Sequence, residues 1–123
     1  MLTFYEYPKC TTCRKAKKEL TDLGISFESV DIKVNPPKVD LLRDLLEKSD
    51  LDLKKLFNTS GQSYRSLGLK DKFPDLSLDE ALTLLANDGM LIKRPILIKD
   101  NKILQIGYRT PYGELGELAA QKD

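Results

Sequence analysis

Apolar and polar positions along this chain fall into short blocks whose period changes, and each change marks an element. Leu2 to Tyr7 is rich in aromatic residues and reads as a strand that Pro8 breaks. Beyond it Cys13, Ala16, Leu20 and Leu23 recur at steps of three, four and three, the apolar stripe of a helix, while Arg14, Lys15 and Lys18 fall on its other faces. That helix is expected to begin at about Thr11 and to end at Gly24. Ile25 to Ile32 alternates with a period of two and predicts a second strand. Strand, helix, strand predicts a parallel βαβ unit.

The middle of the chain reads as helical. Asn35-Pro36-Pro37 is a turn and helix-start signal, and Val39, Leu42, Leu45 and Leu46 form the inward face of the helix that follows. Shorter helical pieces are expected over Leu53 to Phe57 and Tyr64 to Leu69, split by the breaker-rich Asn58-Thr59-Ser60-Gly61. Ser77 and Glu80 form a capping box ahead of Leu78, Ala81, Leu82 and Leu85, with Gly89 as the C-terminal stop. After Arg94-Pro95, two apolar runs, Ile96 to Lys99 and Ile103 to Ile106, flank Asp100-Asn101 and predict a tight hairpin. A closing helix is expected near Pro111 to Ala120. With no internal repeat, low-complexity tract or long linker, the 123 residues suit a single domain.

Composition narrows the function. With 41% apolar and 32% charged residues, acids and bases nearly balanced, the composition argues against disorder, and the net charge of +1 argues against nonspecific nucleic-acid binding. The start carries no basic leader, and no apolar run approaches the ~18 residues that a membrane helix needs, so a soluble, cytosolic protein is expected. There is no histidine, which removes the usual general base, the commonest metal ligand and any Cys-His or Ser-His triad.

The only two cysteines, Cys10 and Cys13, lie three positions apart. They cannot form a secreted disulfide framework, and cytosolic reductants keep idle thiols reduced. With the helix starting at about Thr11, Cys10 sits at its N-terminal edge, where free backbone N–H groups and the helix dipole favour an anion. Thiols so placed fall from ~8.5 to ~3.5–7.5, and Arg14, Lys17 and Lys18 add to the effect if any of them reaches back. Cys13, one turn deeper on the apolar stripe, is expected to be less exposed and less ionised, so Cys10 attacks and Cys13 resolves. Three readings stay open. Zinc wants four ligands, and two cysteines without histidine leave only carboxylates or a second chain. Packing suits Cys13 and fits Cys10 poorly. Redox chemistry suits both, because a Cys-x-x-Cys between an N-terminal strand and an amphipathic helix is a thioredoxin-like arrangement.

The stretches "YPKCTTCRKA", "GMLIKRPILI" and "LQIGYR" resemble the arsenate reductase family in its broad sense, which includes the Spx and MgsR-type proteins of Gram-positive bacteria. The resemblance runs over nearly the whole chain. It implies an α/β, thioredoxin-like fold, a βαβ plus ββα mixed sheet, with a helical insertion at about residues 36–89. It also implies a cis Arg94–Pro95 bond facing the cysteines. In the family's arsenate reductases a cysteine matching Cys10 attacks the oxyanion while arginines bind its oxygens with forked, permanently charged donors. Arg94 lies at one matching position and Arg109 near another. Asn58 stands where a third arginine is used, with Arg65 nearby as either a substitute or a solvated helical arginine, and the cysteine matching Cys13 is absent from the glutathione-dependent reductases; both departures weigh against arsenate as the specific substrate. Arg14 is either a further anion ligand or a solvated residue beside the site.

The other branch holds redox-sensing regulators that bind the RNA polymerase α subunit, with the Cys-x-x-Cys as a switch. "CTTCRKA" and "LQIGY" resemble Spx closely, whereas Asp52 and Ser60 stand where that branch uses a glycine and an arginine in its polymerase contact. The reading that results is an arsenate reductase-like thiol–disulfide oxidoreductase. It implies no metal or bound organic cofactor, and is regenerated by thioredoxin, glutaredoxin or a low-molecular-weight thiol. The alternative is a polymerase-binding regulator.

Overall fold

Four strands make one mixed sheet in the order β2-β1-β3-β4. They are β1 (Leu2–Glu6), β2 (Phe27–Asp31), β3 (Ile96–Lys99) and β4 (Lys102–Ile106). The structure is a computed structural model and describes residues Leu2 to Gly116. Its contacts divide it into two compact units. One runs to Asp31 and resumes at Arg94; the other is Ile32–Lys93.

The first unit holds the sheet. Helix α1 (Thr11–Asp22) connects β1 to β2, which pair in parallel with Leu2 opposite Phe27 and Glu6 opposite Asp31. β3 pairs antiparallel to β1, and β4 antiparallel to β3. This is the α/β mixed-sheet arrangement that the sequence predicts. The stripe of α1 explains its position: Cys13, Ala16 and Leu20 are fully buried, and Ala16 and Leu20 pack in one cluster with Leu2, Phe4, Ile25, Leu97 and Tyr112. A leucine buried in this way contributes about 1.5–3 kcal/mol, so the stripe decides which face of the helix meets the sheet. Phe27 meets Phe4 edge to face at 5.7 Å, which ties the edge strand β2 to that cluster.

Asp100 and Asn101 both adopt positive φ, 51° and 62°, as a two-residue primed turn requires. The hairpin carries a bulge that the alternating pattern does not announce. Leu97 faces Gln105 while Ile98 faces Ile103, so β4 has one residue extra. β2 begins at Phe27 and not at Ile25, because α1 unwinds through Leu23 and Gly24 (φ +72°) and the Ile25 N–H still bonds the Leu20 carbonyl at 3.2 Å.

The expected closing helix starts differently. A single 3-10 turn, Tyr112–Glu114, follows Pro111, and Leu115 is extended. The remainder of that helix, residues 117–120, lies outside the described residues.

The second unit is helical. It comprises α2 (Val39–Ser49), a 3-10 turn at Leu53–Leu56, α3 (Gln62–Ser66), α4 (Leu69–Lys72), a further 3-10 turn at Phe73–Asp75, α5 (Leu78–Asn87) and a last 3-10 turn at Gly89–Leu91. α2 packs on α5, burying Leu42 and Leu45 with Ala81, Leu82 and Leu85, and Arg43 reaches Asp79 at 2.5 Å. The Ser77–Glu80 capping box forms in both directions. Phe57 is enclosed by Tyr64 and Phe73, both edge to face. Gly89 is a correction: Asp88 caps α5, and Gly89 opens the next turn. A Cβ there would lie 1.8 Å from the Ile32 carbonyl oxygen, so glycine is required by close approach of backbone and not by a left-handed stop. Among the described residues no helix is long and apolar enough to cross a membrane.

Candidate functional site

The turn between β1 and α1 ends at Cys10, whose backbone is extended (φ −83°, ψ 121°) and caps the helix. Its carbonyl accepts the first helical hydrogen bond, from Arg14 N–H at 3.1 Å, and its own N–H donates to the Tyr7 carbonyl at 2.9 Å. Its sulfur accepts the Cys13 N–H at 3.4 Å. An N-cap usually offers a Ser, Thr, Asp or Asn oxygen to one of the helix's free donors; here a half-buried thiol takes that place. Both cysteines are free thiols.

Cys13 is fully buried. Burial pushes its thiol up to about 12; a hydrogen bond from the Tyr7 backbone and the charge of Arg94 pull the other way, and Cys10 adds to the rise. The two sulfurs therefore occupy unlike surroundings although one helical turn separates them.

Arg94 is half-buried, with its guanidinium carbon 5.5 Å from the centroid of the Tyr7 ring. Its bond to the buried Pro95 is cis, and the Pro95 carbonyl accepts Gly107 N–H at 2.8 Å, which fixes the entry to β3 beside the exit of β4. Of Arg14, Lys17 and Lys18, one reaches back: Arg14 Nε donates to the Pro8 carbonyl at 2.9 Å, in the loop that carries Cys10. Lys17 is turned to Glu6 at 2.8 Å, and Lys18 to Asp22 at 2.7 Å, so both are engaged by carboxylates.

Arg109 stands exposed on the loop after β4. The fold holds its backbone: Gln105 Oε1 accepts the N–H groups of Arg109 and Thr110, each at 2.9 Å, and Gln105 Nε2 donates to the Thr110 carbonyl at 2.9 Å. The described contacts bring Cys10, Cys13 and Arg94 together around Tyr7 and bring Arg14 to the same loop; they do not bring Arg109 to the sulfurs. Asn58 and Arg65 lie in the helical unit.

Sequence reasoning missed two acids. Glu6 is the one buried charged residue among those described, bonded by Lys17 and by Ser29 Oγ. Its parity with Leu2 and Phe4 on β1 is the signal that could have found it, because alternation puts all three on the face that α1 covers. Glu19 receives Tyr108 Oη at 2.5 Å, Tyr112 N–H at 2.6 Å and Gly113 N–H at 3.1 Å. Burial pushes the Glu19 carboxyl up, but these three donors outweigh it and hold it below its ordinary range. Through Glu19, α1 grips the segment that follows β4.

A family model described as the ArsC family matches residues 5–111, a span that includes both cysteines, Arg94 and Arg109. The chain belongs to the ArsC family. Two relatives illustrate its range. The protein named uncharacterized protein YusI, from Bacillus subtilis (strain 168), is 55% identical over 108 residues, covering 88% of this chain and 91% of that one. The regulatory protein MgsR of the same organism is 36% identical over 121 residues, covering 98% and 92%. Among solved structures, one described as a possible arsenate reductase from Streptococcus mutans UA159 has 68% sequence identity and a TM-score of 0.90, covering 94% of this chain and 97% of that one. Chains similar to this one are thus named both for possible arsenate reduction and for regulation.

Proposed function

We propose that this ArsC-family protein is a thiol–disulfide oxidoreductase in which Cys10 is the nucleophile and Cys13 the resolving thiol. The observation that carries the reading is the contrast between a half-buried Cys10 at the helix cap and a fully buried Cys13 whose N–H bonds the Cys10 sulfur. In the first step the Cys10 thiolate attacks one sulfur of a substrate disulfide, forming a mixed disulfide and expelling the other sulfur as a thiolate. Cys13 then gives up its proton and attacks Cys10. A Cys10–Cys13 disulfide forms, the second substrate thiolate leaves, and two electrons have passed from protein to substrate. With arsenate the same pair would supply two electrons to arsenic, one oxygen leaving as water.

Arg94, with Arg14 and Arg109 as further cations, stabilises the anion or the thiolate, and Pro95 forms the cis-proline wall of the site. Thioredoxin, glutaredoxin or a low-molecular-weight thiol returns the pair to the reduced state. The reading treats the chain as one thioredoxin-like domain with a helical insertion.

The relationship to a protein named a regulatory protein supports a second reading, the one the resemblance to Spx implies: a redox-switched regulator that binds the RNA polymerase α subunit. One experiment separates the two. The reduced protein is assayed for turnover of arsenate and of a model disulfide, and tested in parallel for retention of the polymerase α C-terminal domain. Turnover abolished by Cys10→Ser supports the oxidoreductase. Retention of α without turnover supports the regulator, and neither activity overturns both.

A further inference from the structure

Tyr7 touches every group on which the exchange depends. Its carbonyl holds the Cys10 N–H at 2.9 Å, its backbone N–H bonds the Cys13 sulfur, and the face of its ring carries the Arg94 guanidinium at 5.5 Å. A guanidinium within about 6 Å of a ring centroid is attracted by the ring quadrupole, most strongly where water is partly excluded.

We infer that Tyr7 is a positioning residue for resolution: its ring holds the Arg94 cation where its charge acts on Cys13, while its peptide holds the Cys10 backbone and the Cys13 sulfur, so that Cys13 can lose its proton and close on Cys10. This rests on the thiol-exchange reading and deepens it. The chemical need is plain. Cys13 is fully buried and its thiol is raised, so its deprotonation is the costly step, and Arg94 is the positive charge that offsets that cost. The other titratable groups acting on Cys13 are Cys10 and, from the turn after β4, Tyr112. Neither is a cation, so Arg94 is the positive charge that, with the hydrogen bond from the Tyr7 backbone, opposes the effect of burial on Cys13.

The test uses the whole reduced protein and 5,5′-dithiobis(2-nitrobenzoate). Cys10 attack releases one thionitrobenzoate and leaves a mixed disulfide. Cys13 then loses a proton to solvent and attacks, the Cys10–Cys13 bond forms, and a second thionitrobenzoate leaves. The second phase isolates resolution. Tyr7→Leu is expected to slow it by about tenfold and to move its pH midpoint upward, with the first phase changed far less; Tyr7→Phe, which keeps the ring face, restores the rate.

Combined with Arg94→Met, the Tyr7→Leu effect should vanish, because its target is gone. A second phase unchanged in Tyr7→Leu, or a full loss that persists without Arg94, overturns the inference while leaving thiol exchange intact. A wild-type protein that never releases the second thionitrobenzoate overturns the exchange reading itself. Progressive fluorination of phenylalanine at position 7 keeps the shape and weakens the ring face, so a graded slowing is expected even if Tyr7→Leu fails to fold. A flat series contradicts the role.

Discussion

The backbone N–H of Cys13 points at the sulfur of Cys10 from 3.4 Å. One turn of helix thus supplies a donor to the first thiol from the residue that carries the second. Because the donor belongs to the helix backbone, it is placed by the same packing of Ala16 and Leu20 that seats α1 on the sheet. The chemistry proposed for this pair inherits its geometry from the fold.

The unlike surroundings of the two thiols predict unlike variants. Cys10→Ser should lose all detectable exchange with a model disulfide. Cys13→Ser should retain the first attack and stop there, accumulating a stable mixed disulfide at Cys10 that mass spectrometry detects as a single adduct. An active Cys10→Ser protein would assign the nucleophile wrongly.

Stability should fall on the alkaline side. Burial pushes Cys13 up to about 12, and burial together with Glu19 pushes Tyr108 up to about 12 as well. In the unfolded chain a thiol ionises near ~8.5 and a phenol near ~10. The folded state favours the neutral forms, so this contribution is complete below pH ~8.5 and is lost as pH rises toward 12. Thermal melts should show a declining Tm from about pH 9 upward, and Cys13→Ala should make that decline shallower by up to ~1.4 kcal/mol per pH unit.

Glu19 works in the opposite direction. Its folded carboxyl is held below the ordinary ~4.3, so its contribution is present above that value and is lost as pH falls through it. Glu19→Gln replaces an acceptor of three hydrogen bonds by a group that can accept at one oxygen, and should cost about 2 kcal/mol at neutral pH. The gap between variant and wild type, measured by denaturant unfolding, should narrow below pH ~4. A gap independent of pH would assign the effect to packing alone.

Much of the architecture was legible in the chain. The steps of three and four from Cys13 to Leu23 mark α1, the Ser77–Glu80 pair marks the start of α5, and Asp100-Asn101 marks the hairpin, because each is a local signal with a local cause. Gly89 was misread, since what demands glycine there is the carbonyl of Ile32, far away in sequence. The hairpin bulge and the 3-10 turn at Tyr112 likewise depend on long-range packing. At the site, the Cys-x-x-Cys spacing and the cap position could be read directly. Which cation reaches back could not, because the answer depends on Glu6 and Asp22 engaging Lys17 and Lys18 and leaving Arg14 to turn to Pro8. The Tyr7–Arg94 contact joins residues far apart in the chain and has no local signature at all.

The most direct test of the account is to treat the reduced protein with one equivalent of a mild disulfide oxidant, quench with acid, block free thiols and map the peptides by mass spectrometry. The account predicts an intramolecular Cys10–Cys13 disulfide as the dominant product, formed without dimer. A product in which Cys10 and Cys13 stay unlinked, as free thiols or in disulfides between chains, would contradict it.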